Sequence, residues 1–218
     1  MPPKAKYTRE EIVEIAVELA AKRGIDALNA RNLAAALGTS TRPLFTAFKN
    51  MGELIGEVNS AAMKRFEEYA GRFDPNNPAF KTVGMQMILF AAEQPKLFQL
   101  LFMSESENSG SFDDMFGRLG VTSRLCIDYI MRDYGLDLRE AELLFRSAWV
   151  YTFGICALIA KGVCRYSENE VSEMLSVQFN AIMGLILSGK AFDVPEYEKG
   201  MSPQEFKEKF TAQNGEKQ

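Results

Sequence analysis

The sequence predicts an all-α protein in which an N-terminal head of three helices precedes a larger helical bundle. Apolar residues recur at helical spacing along most of the chain, and strand-like alternation is almost absent. Gly and Pro fall between these periodic segments, where they interrupt helices. The 218 residues suffice for one sizeable domain or two small ones. We place the head at residues 1–50, the helical body at 51–190 and a polar tail at 191–218.

The first helix is predicted to begin after Thr8, because Thr8 and Glu11 have the spacing of a capping box. An apolar stripe from Ile12 to Ala20 follows, with repeats of three and four residues. Gly24 should end the helix, since glycine readily takes the backbone angles found at helix C-termini.

Two short helices are expected next, over 30–37 and 41–48. Asn29 and Ser40 are suited to cap them, and Pro43 falls in the first turn of the second, where its missing N–H costs little. Gly38 supplies the tight turn between them. The buried sides should hold Leu33, Ala34 and Leu37 on one helix, and Leu44, Phe45 and Phe48 on the other.

The body is predicted to contain longer helices. Asn50 should cap a helix that runs to about residue 72, and a turn at 74–78 separates it from the rest. Ser202 and Glu205 allow a short helix in the tail, although a frayed tail is an equal alternative. Further helices are expected at about 78–93, 95–103, 112–119, 120–134, 138–161 and 168–189.

The pair of short helices has the pattern of a helix-turn-helix. Its outward positions carry small hydroxyls and cations, the side chains that reach phosphates and base edges in a major groove. Residues 29–51 contain no Asp or Glu, and residues 1–50 have a net charge of +3 against −7 for the rest. The pattern by itself leaves open a second interpretation, a tight helical corner inside a larger domain.

The stretch from Tyr7 to Val58 resembles the DNA-binding domain of the TetR/AcrR family of bacterial transcriptional regulators. The matching features are the Thr-capped helix that ends at Gly, the turn Gly38-Thr39-Ser40, and the run Leu44-Phe45-Thr46-Ala47-Phe48 followed by Lys49. The sequence departs from the family where Phe45 replaces the usual Tyr and Pro43 a common Gly, which concerns the contacts and not the class. The candidate DNA-binding residues are Thr8, Arg31, Thr39, Ser40, Thr41, Arg42, Pro43, Thr46 and Lys49.

The resemblance implies a homodimer that binds a palindromic double-stranded DNA operator, with a body that binds a small effector. Eleven Met and sixteen Phe in the chain fit either a filled core or an adaptable apolar cavity. We expect the cavity between the helices at 78–93, 112–134 and 138–161, and an apolar or aromatic effector. The candidate lining residues are Met87, Phe90, Phe102, Phe116, Trp149, Phe153 and Cys156.

Dimerisation is expected through the last two long helices, 138–161 and 168–189, which are apolar on more than one face. Gly154 and Gly184 would let backbones of two subunits approach closely. The alternative is that these glycines are packing notches within one chain. The other small residues on these helices are Ala148, Ala157, Ala181 and Ser188.

Several classes of function are disfavoured by composition. The sequence has no His, and its three Cys form no CxxC pair, so we expect no catalytic residues, no metal site and no cofactor. The start of the sequence lacks the apolar core of a signal peptide. The two longest uncharged stretches, 147–160 and 174–189, have 14 and 16 residues, fewer than the eighteen or so that span a bilayer, so a cytoplasmic protein without a membrane span is expected. The rival hypothesis is a helical small-molecule-binding protein or enzyme whose helix-turn-helix is only structural.

Overall fold

The computed structural model describes residues 7–72, 74, 76–104, 111–165, 167–192 and 200–215. Every regular element among these residues is helical, so the predicted all-α class is confirmed. A single 3-10 turn, Ile25–Ala27, follows the first helix. The α-helices are α1 (Arg9–Arg23), α2 (Ala30–Ala36), α3 (Arg42–Ala47), α4 (Met51–Ala70), α5 (Ala79–Glu93), α6 (Pro95–Phe102), α7 (Phe112–Gly117), α8 (Val121–Tyr134), α9 (Leu138–Ala160), α10 (Glu168–Leu187) and α11 (Pro203–Gly215).

Local capping fixes the starts of three head helices. The Thr8 hydroxyl accepts from the Glu11 N–H at 3.1 Å, and the Glu11 carboxylate accepts from the Thr8 N–H at 2.7 Å. Asn29 caps α2, and Asn50 caps α4 by accepting from the Glu53 N–H at 2.9 Å. Each bond satisfies a backbone donor that a helix N-terminus leaves free, and these starts lie where the sequence predicts them.

The start of α3 differs from the prediction. Thr41, not Ser40, is the residue before the helix, and it makes no side-chain cap. The helix has only six residues, too few for a stable helix by itself in water. Burial of Leu44 in α3 and of Phe48 just after it holds the segment in place, so tertiary packing supplies what the cap does not.

In the head, α1 packs against both α4 and α2, and Arg9 of α1 bonds to the end of α3. Because α4 runs on past Val58 into the body, head and body share one continuous helix. The division at residue 50 is therefore a boundary of motifs, and it stays a prediction. The buried head residues are Ile12, Val13, Ala16, Val17, Ala20, Leu33, Ala34, Leu37, Leu44, Phe48, Leu54 and Val58.

The body packs around α9, which contacts α5, α6, α8 and α10. Phe66 of α4 is fully buried and meets Phe90 of α5 and Phe102 of α6 edge to face, with ring centroids 5.5 and 5.1 Å apart. Helix α6 also packs against α1 of the head, and its Gln99 amide donates to the Ala160 carbonyl at the end of α9 over 2.6 Å. Helix α6 is therefore in contact with both the head and the core helix.

Within the part of the chain that the structure describes, α9 is the one helix long and apolar enough to cross a bilayer, with a mean hydropathy of 1.6 over 18 residues. Its contacts with four neighbouring helices are those of a core helix in a helical bundle.

Apolar side chains of α9 and α10 are left uncovered by the described part of the chain. Leu158, Val177 and Leu187 are exposed there, although they are large and apolar. A Cβ built on Gly154 or Gly184 would meet no heavy atom of the described residues within 4 Å, so neither glycine is a packing notch against that part of the chain. Ala157, Ala181 and Ser188 are also at least partly exposed, whereas Ala148 is buried and faces the body interior.

The tail contains one helix, α11, and here the first of the two sequence alternatives is correct. The Ser202 hydroxyl accepts from the Glu205 N–H at 3.2 Å, and the Glu205 carboxylate accepts from the Ser202 N–H at 2.7 Å. This reciprocal cap fixes the start of the helix locally.

Candidate nucleic-acid interface and body cavity

The turn between α2 and α3 depends on Gly38, whose φ of +61° lies in the left-handed region that side chains disfavour. The Gly38 and Thr39 amides donate back to the carbonyls of Ala35 and Ala34, at 3.1 and 3.0 Å, and thereby close the end of α2. This geometry is that of a helix-turn-helix, with α3 as the second helix.

One side of helix α3 is exposed on the surface of the head. Arg42, Phe45 and Thr46 have i, i+3 and i+4 spacing and are all exposed, and Lys49 follows the helix end on the surface. The prediction that Phe45 is buried with Leu44 and Phe48 is wrong, because 54% of Phe45 is exposed while Leu44 and Phe48 fill the interior side. A six-residue helix has room for only one inward residue per turn, and Leu44 occupies that position.

The nine candidate DNA-binding residues fall into two groups. Six of them are exposed on the surface around α2 and α3, and Thr39 and Pro43 in the same region are half-buried. Thr8 is exposed as well, but its hydroxyl oxygen is the cap of α1. The six exposed residues around α2 and α3 are Arg31, Ser40, Thr41, Arg42, Thr46 and Lys49.

Sequence reasoning missed the residue that holds α3 in place, Arg9. Its Nη1 donates to the Ala47 carbonyl at 2.5 Å, and its guanidinium carbon lies 4.3 Å from the centre of the Phe48 ring. Nη2 donates to Glu53 at 2.7 Å, and Nε donates to Glu57 at 2.9 Å. One side chain from α1 therefore joins the end of α3 to the first turns of α4. A cation separated from its acceptors by about forty residues has no local sequence signal.

The carboxylate of Glu53 takes part in a second contact at the same point. It accepts from the Lys49 N–H at 2.6 Å, which fixes the backbone just after α3. The hydrogen bond from Arg9, followed by that from the Lys49 backbone, lowers the pKa of Glu53 below its ordinary value of 4.5. Hydrogen bonds to Glu57 and then to Glu53 raise the pKa of Arg9 above its already high value, so Arg9 stays charged at neutral pH.

Tyr7 gives a further anchor, because its hydroxyl donates to the Leu37 carbonyl at 2.6 Å. The bond joins the residue before the Thr8 cap of α1 to the end of α2. Helix α2 is thus held at its C-terminus, where the turn toward α3 begins.

Two adjoining cavities lie between α5, α8, α9 and α10 in the body. The larger has a volume of about 160 Å³ and the smaller about 30 Å³. Both are lined by Phe80 and Gly84 of α5 and by Ala148 and Thr152 of α9. The larger one extends toward Lys81, Tyr134 and Phe179, and the smaller one toward Met87, Cys126 and Trp149.

Trp149 is buried, and its indole Nε1 has no hydrogen-bond partner in the described part of the chain. A buried donor without a partner costs stability, so this position favours an acceptor supplied from elsewhere. Thr152 is also buried, but its hydroxyl donates to the Ala148 carbonyl at 2.8 Å. Tyr151 lies on the opposite, exposed side of α9.

Of the seven candidate effector residues, Met87 and Trp149 line the smaller cavity. The others pack in the aromatic core around it: Phe116 meets Trp149 edge to face at 5.5 Å, and Phe153 stacks on Trp149 at 5.2 Å. Phe90 and Cys156 are fully buried, and Phe102 is half-buried against Phe66 and Phe98.

A helix-turn-helix with an exposed cationic surface, joined to a helical body that contains largely apolar cavities, is the architecture of a DNA-binding transcriptional regulator. A family model supports this class: residues 12–58 match the model described as bacterial regulatory proteins of the tetR family. This match confirms the sequence resemblance over the head and supports a transcriptional regulator of the TetR family.

Solved structures show the same fold over most of the chain. A protein from Vibrio parahaemolyticus, described as a TetR-family transcriptional regulator, has 16% identity and a TM-score of 0.53, covering 79% of this chain and 97% of its own. Another from Mesorhizobium loti MAFF303099, described in the same terms, has 16% identity and a TM-score of 0.50, covering 81% of this chain and 95% of its own. Among curated proteins, none matches this chain in sequence.

Proposed function

We propose that this protein is a cytoplasmic transcriptional repressor that binds a palindromic operator as a homodimer and is released by a small apolar effector. The observation that carries the DNA-binding part is the exposed surface of α3, formed by Arg42, Phe45, Thr46 and Lys49 and called the reading surface below. Arg9 holds the helix from the opposite side through its bond to the Ala47 carbonyl. Cations on such a surface neutralise phosphates and pair with guanine edges.

The homodimer is supported by the shared face of α9 and α10. Leu158, Val177 and Leu187 expose apolar surface there, and Gly154 and Gly184 leave open space where backbones of two subunits would meet. An isologous interface of this kind sets two heads side by side. The two copies of α3 must then lie about 34–36 Å apart, one turn of DNA, to reach the half-sites of a palindrome.

The effector is supported by the adjoining cavities beside Trp149. A cavity of about 150 Å³ holds a benzene ring, so the larger cavity of about 160 Å³ suits a compound with a single ring. The free Nε1 donor favours a compound that carries a hydrogen-bond acceptor. Effector binding releases DNA only if it favours one spacing of the heads over another, and the contacts of α6 with α1 and α9 give a physical connection for that change.

The proposal includes no enzymatic activity, no cofactor and no membrane partner. The rival hypothesis, a small-molecule-binding protein or enzyme with a structural helix-turn-helix, predicts no affinity for DNA. Regulators of this kind require none of the nucleophile–base pairs on which enzymes depend.

The test is the affinity of the full chain for double-stranded DNA of random sequence at 50 and 200 mM salt, followed by fluorescence anisotropy. If Arg31 and Lys49 of both subunits each neutralise one phosphate, affinity falls about a hundredfold over this range. Binding that is absent at 50 mM salt, or that does not change with salt, contradicts the proposal. Arg124→Ala on α8 is the control. It removes an exposed cation of the body and leaves the head unchanged, so it should bind DNA as the unchanged protein does.

A further inference from the structure

Phe45 is the large apolar side chain that the head exposes on the surface of α3. Its exposed fraction is 54%, whereas its neighbours Leu44 and Phe48 are 2% and 3% exposed. Folding of the head therefore does not use most of this ring, and leaving it in water is unfavourable. Its position on the reading surface suggests a role in the complex with DNA.

The centre of that surface is more apolar than its sequence indicates. The Thr46 hydroxyl donates to the Arg42 carbonyl at 3.0 Å, so its proton is already used within the helix. The cations stand at the two ends, Arg42 at the first residue of α3 and Lys49 beyond its last. Between them lie the Phe45 ring and the Thr46 hydroxyl, whose proton is already donated to Arg42, so neither offers a donor to a phosphate or a base.

Base edges in the major groove are polar with a single exception. Guanine, adenine and cytosine present donors and acceptors there, and thymine also presents its 5-methyl group. An aromatic ring pressed against polar edges removes them from water without replacing their hydrogen bonds, which is costly. Against a methyl group the same ring buries apolar surface on both sides.

We infer that Phe45 is a specificity-determining residue that selects thymine, by packing its ring against the 5-methyl group in each half-site. The inference rests on the proposed operator binding. It assigns sequence selection to a residue without a hydrogen-bonding group, in addition to the guanine pairing expected of Arg42.

The experiment begins with selection of DNA sequences by the full-length protein from a randomised double-stranded library. The enriched sequence is then resynthesised with deoxyuridine in place of one thymine at a time, which removes only the 5-methyl group. We expect a thymine in each half-site whose replacement weakens binding about fourfold, the effect of burying one methyl group less. In Phe45→Ala the same replacement should have no effect, and Phe45→Tyr, which keeps the ring, should stay sensitive.

Thr46→Ser is the second control, because it removes the Thr46 methyl and keeps the hydroxyl that bonds to Arg42. Deoxyuridine sensitivity that persists in Phe45→Ala but is lost in Thr46→Ser would transfer the role to Thr46 and overturn the inference. An enriched sequence without a methyl-sensitive thymine would also overturn it while leaving operator binding intact. A library from which no sequence is enriched would instead contradict the proposed function. Because Phe45 is exposed, Phe45→Ala is expected to fold normally, which circular dichroism verifies.

Discussion

The guanidinium of Arg9 donates to the backbone carbonyl of Ala47 at 2.5 Å, so the first helix of the head holds the last residue of α3. The carbonyl belongs to the last turn of a six-residue helix, where the final carbonyls have no partner within the helix. The orientation of the reading surface therefore depends on a side chain that lies outside it.

Replacing Arg9 should change DNA binding without removing a DNA contact. In Arg9→Met the Ala47 carbonyl and the carboxylates of Glu53 and Glu57 lose their shared donor, so we expect weaker affinity for all sequences alike and a lower Tm. Arg9→Lys keeps the charge but not the planar fork, and it should restore only part of the loss. Arg65→Lys, which alters a surface ion pair with Glu18, is the control; equal effects at both positions would contradict the role of Arg9.

The same anchor predicts a pH dependence. Since the pKa of Glu53 is lowered in the folded protein, the carboxylate stabilises the head above its ordinary pKa of 4.5 and loses this effect as pH falls through the folded value. The free energy of unfolding, measured between pH 7 and pH 3, should decrease less on acidification in Glu53→Gln than in the unchanged protein. Identical pH profiles would show that the Glu53 contacts contribute nothing to stability.

Arg42 and Lys49 should contribute to DNA binding in different ways. Arg42→Ala should cost about 1–3 kcal/mol at one base position in each half-site, because a bidentate pair with guanine is lost. Lys49→Ala should weaken all sequences equally and reduce the salt dependence by about one counterion per subunit. Gel-shift titrations with matched and mismatched DNA separate these effects. Two variants that bind like the unchanged protein would place the reading surface elsewhere.

The exposed face of α9 and α10 predicts that single substitutions give monomers. Gly184→Glu and Ala181→Arg each introduce a charge at an exposed position, so the chain should fold, whereas a buried interface would have to desolvate that charge. Sedimentation velocity should show the change. Val121→Glu replaces an exposed apolar residue on α8 and should stay dimeric. Dimers in all three variants would exclude this face.

Filling the body cavities should abolish the effector response. Ala148 lines both cavities, and Ala148→Leu places additional carbon atoms in them, so compounds with one ring and an acceptor should no longer change Trp149 fluorescence. Operator affinity should be retained, since the head is not altered. Thr152→Val, which conserves volume, should still respond. A full response in Ala148→Leu would place the binding site outside these cavities.

Thiol reactivity tests the packing of the body. Burial raises the pKa of Cys126 to about 12 and also raises that of Cys156, so neither forms the reactive thiolate near neutral pH. Cys164 is only half-buried, and we expect a single thiol per native chain to react with Ellman's reagent, rising to three in denaturant. Cys164→Ser should show no native reaction. Rapid reaction of a second thiol would reveal an opening of the core near α8 or α9.

The sequence by itself determined the features that depend on neighbours along the chain. Thr8, Asn29 and Asn50 cap helices where they were predicted, because a cap needs only residues three positions apart. Gly38 marks the turn for a similar reason, since its backbone angle excludes most side chains. These local signals suffice for the all-α class and the helix-turn-helix, and the resemblance to a known family rests on the residues around them.

The tertiary structure decided what depends on contacts between distant residues. The exposure of Phe45 follows from the shortness of α3, which turns Leu44 inward and leaves no interior space for a second ring. Arg9 acquires its role from groups that lie thirty-eight to forty-eight residues away. Gly84 and Ala148 line both cavities, because small residues on packed helices leave space between them. Helical periodicity indicates which side of a helix is apolar, but it does not indicate which apolar side chains meet.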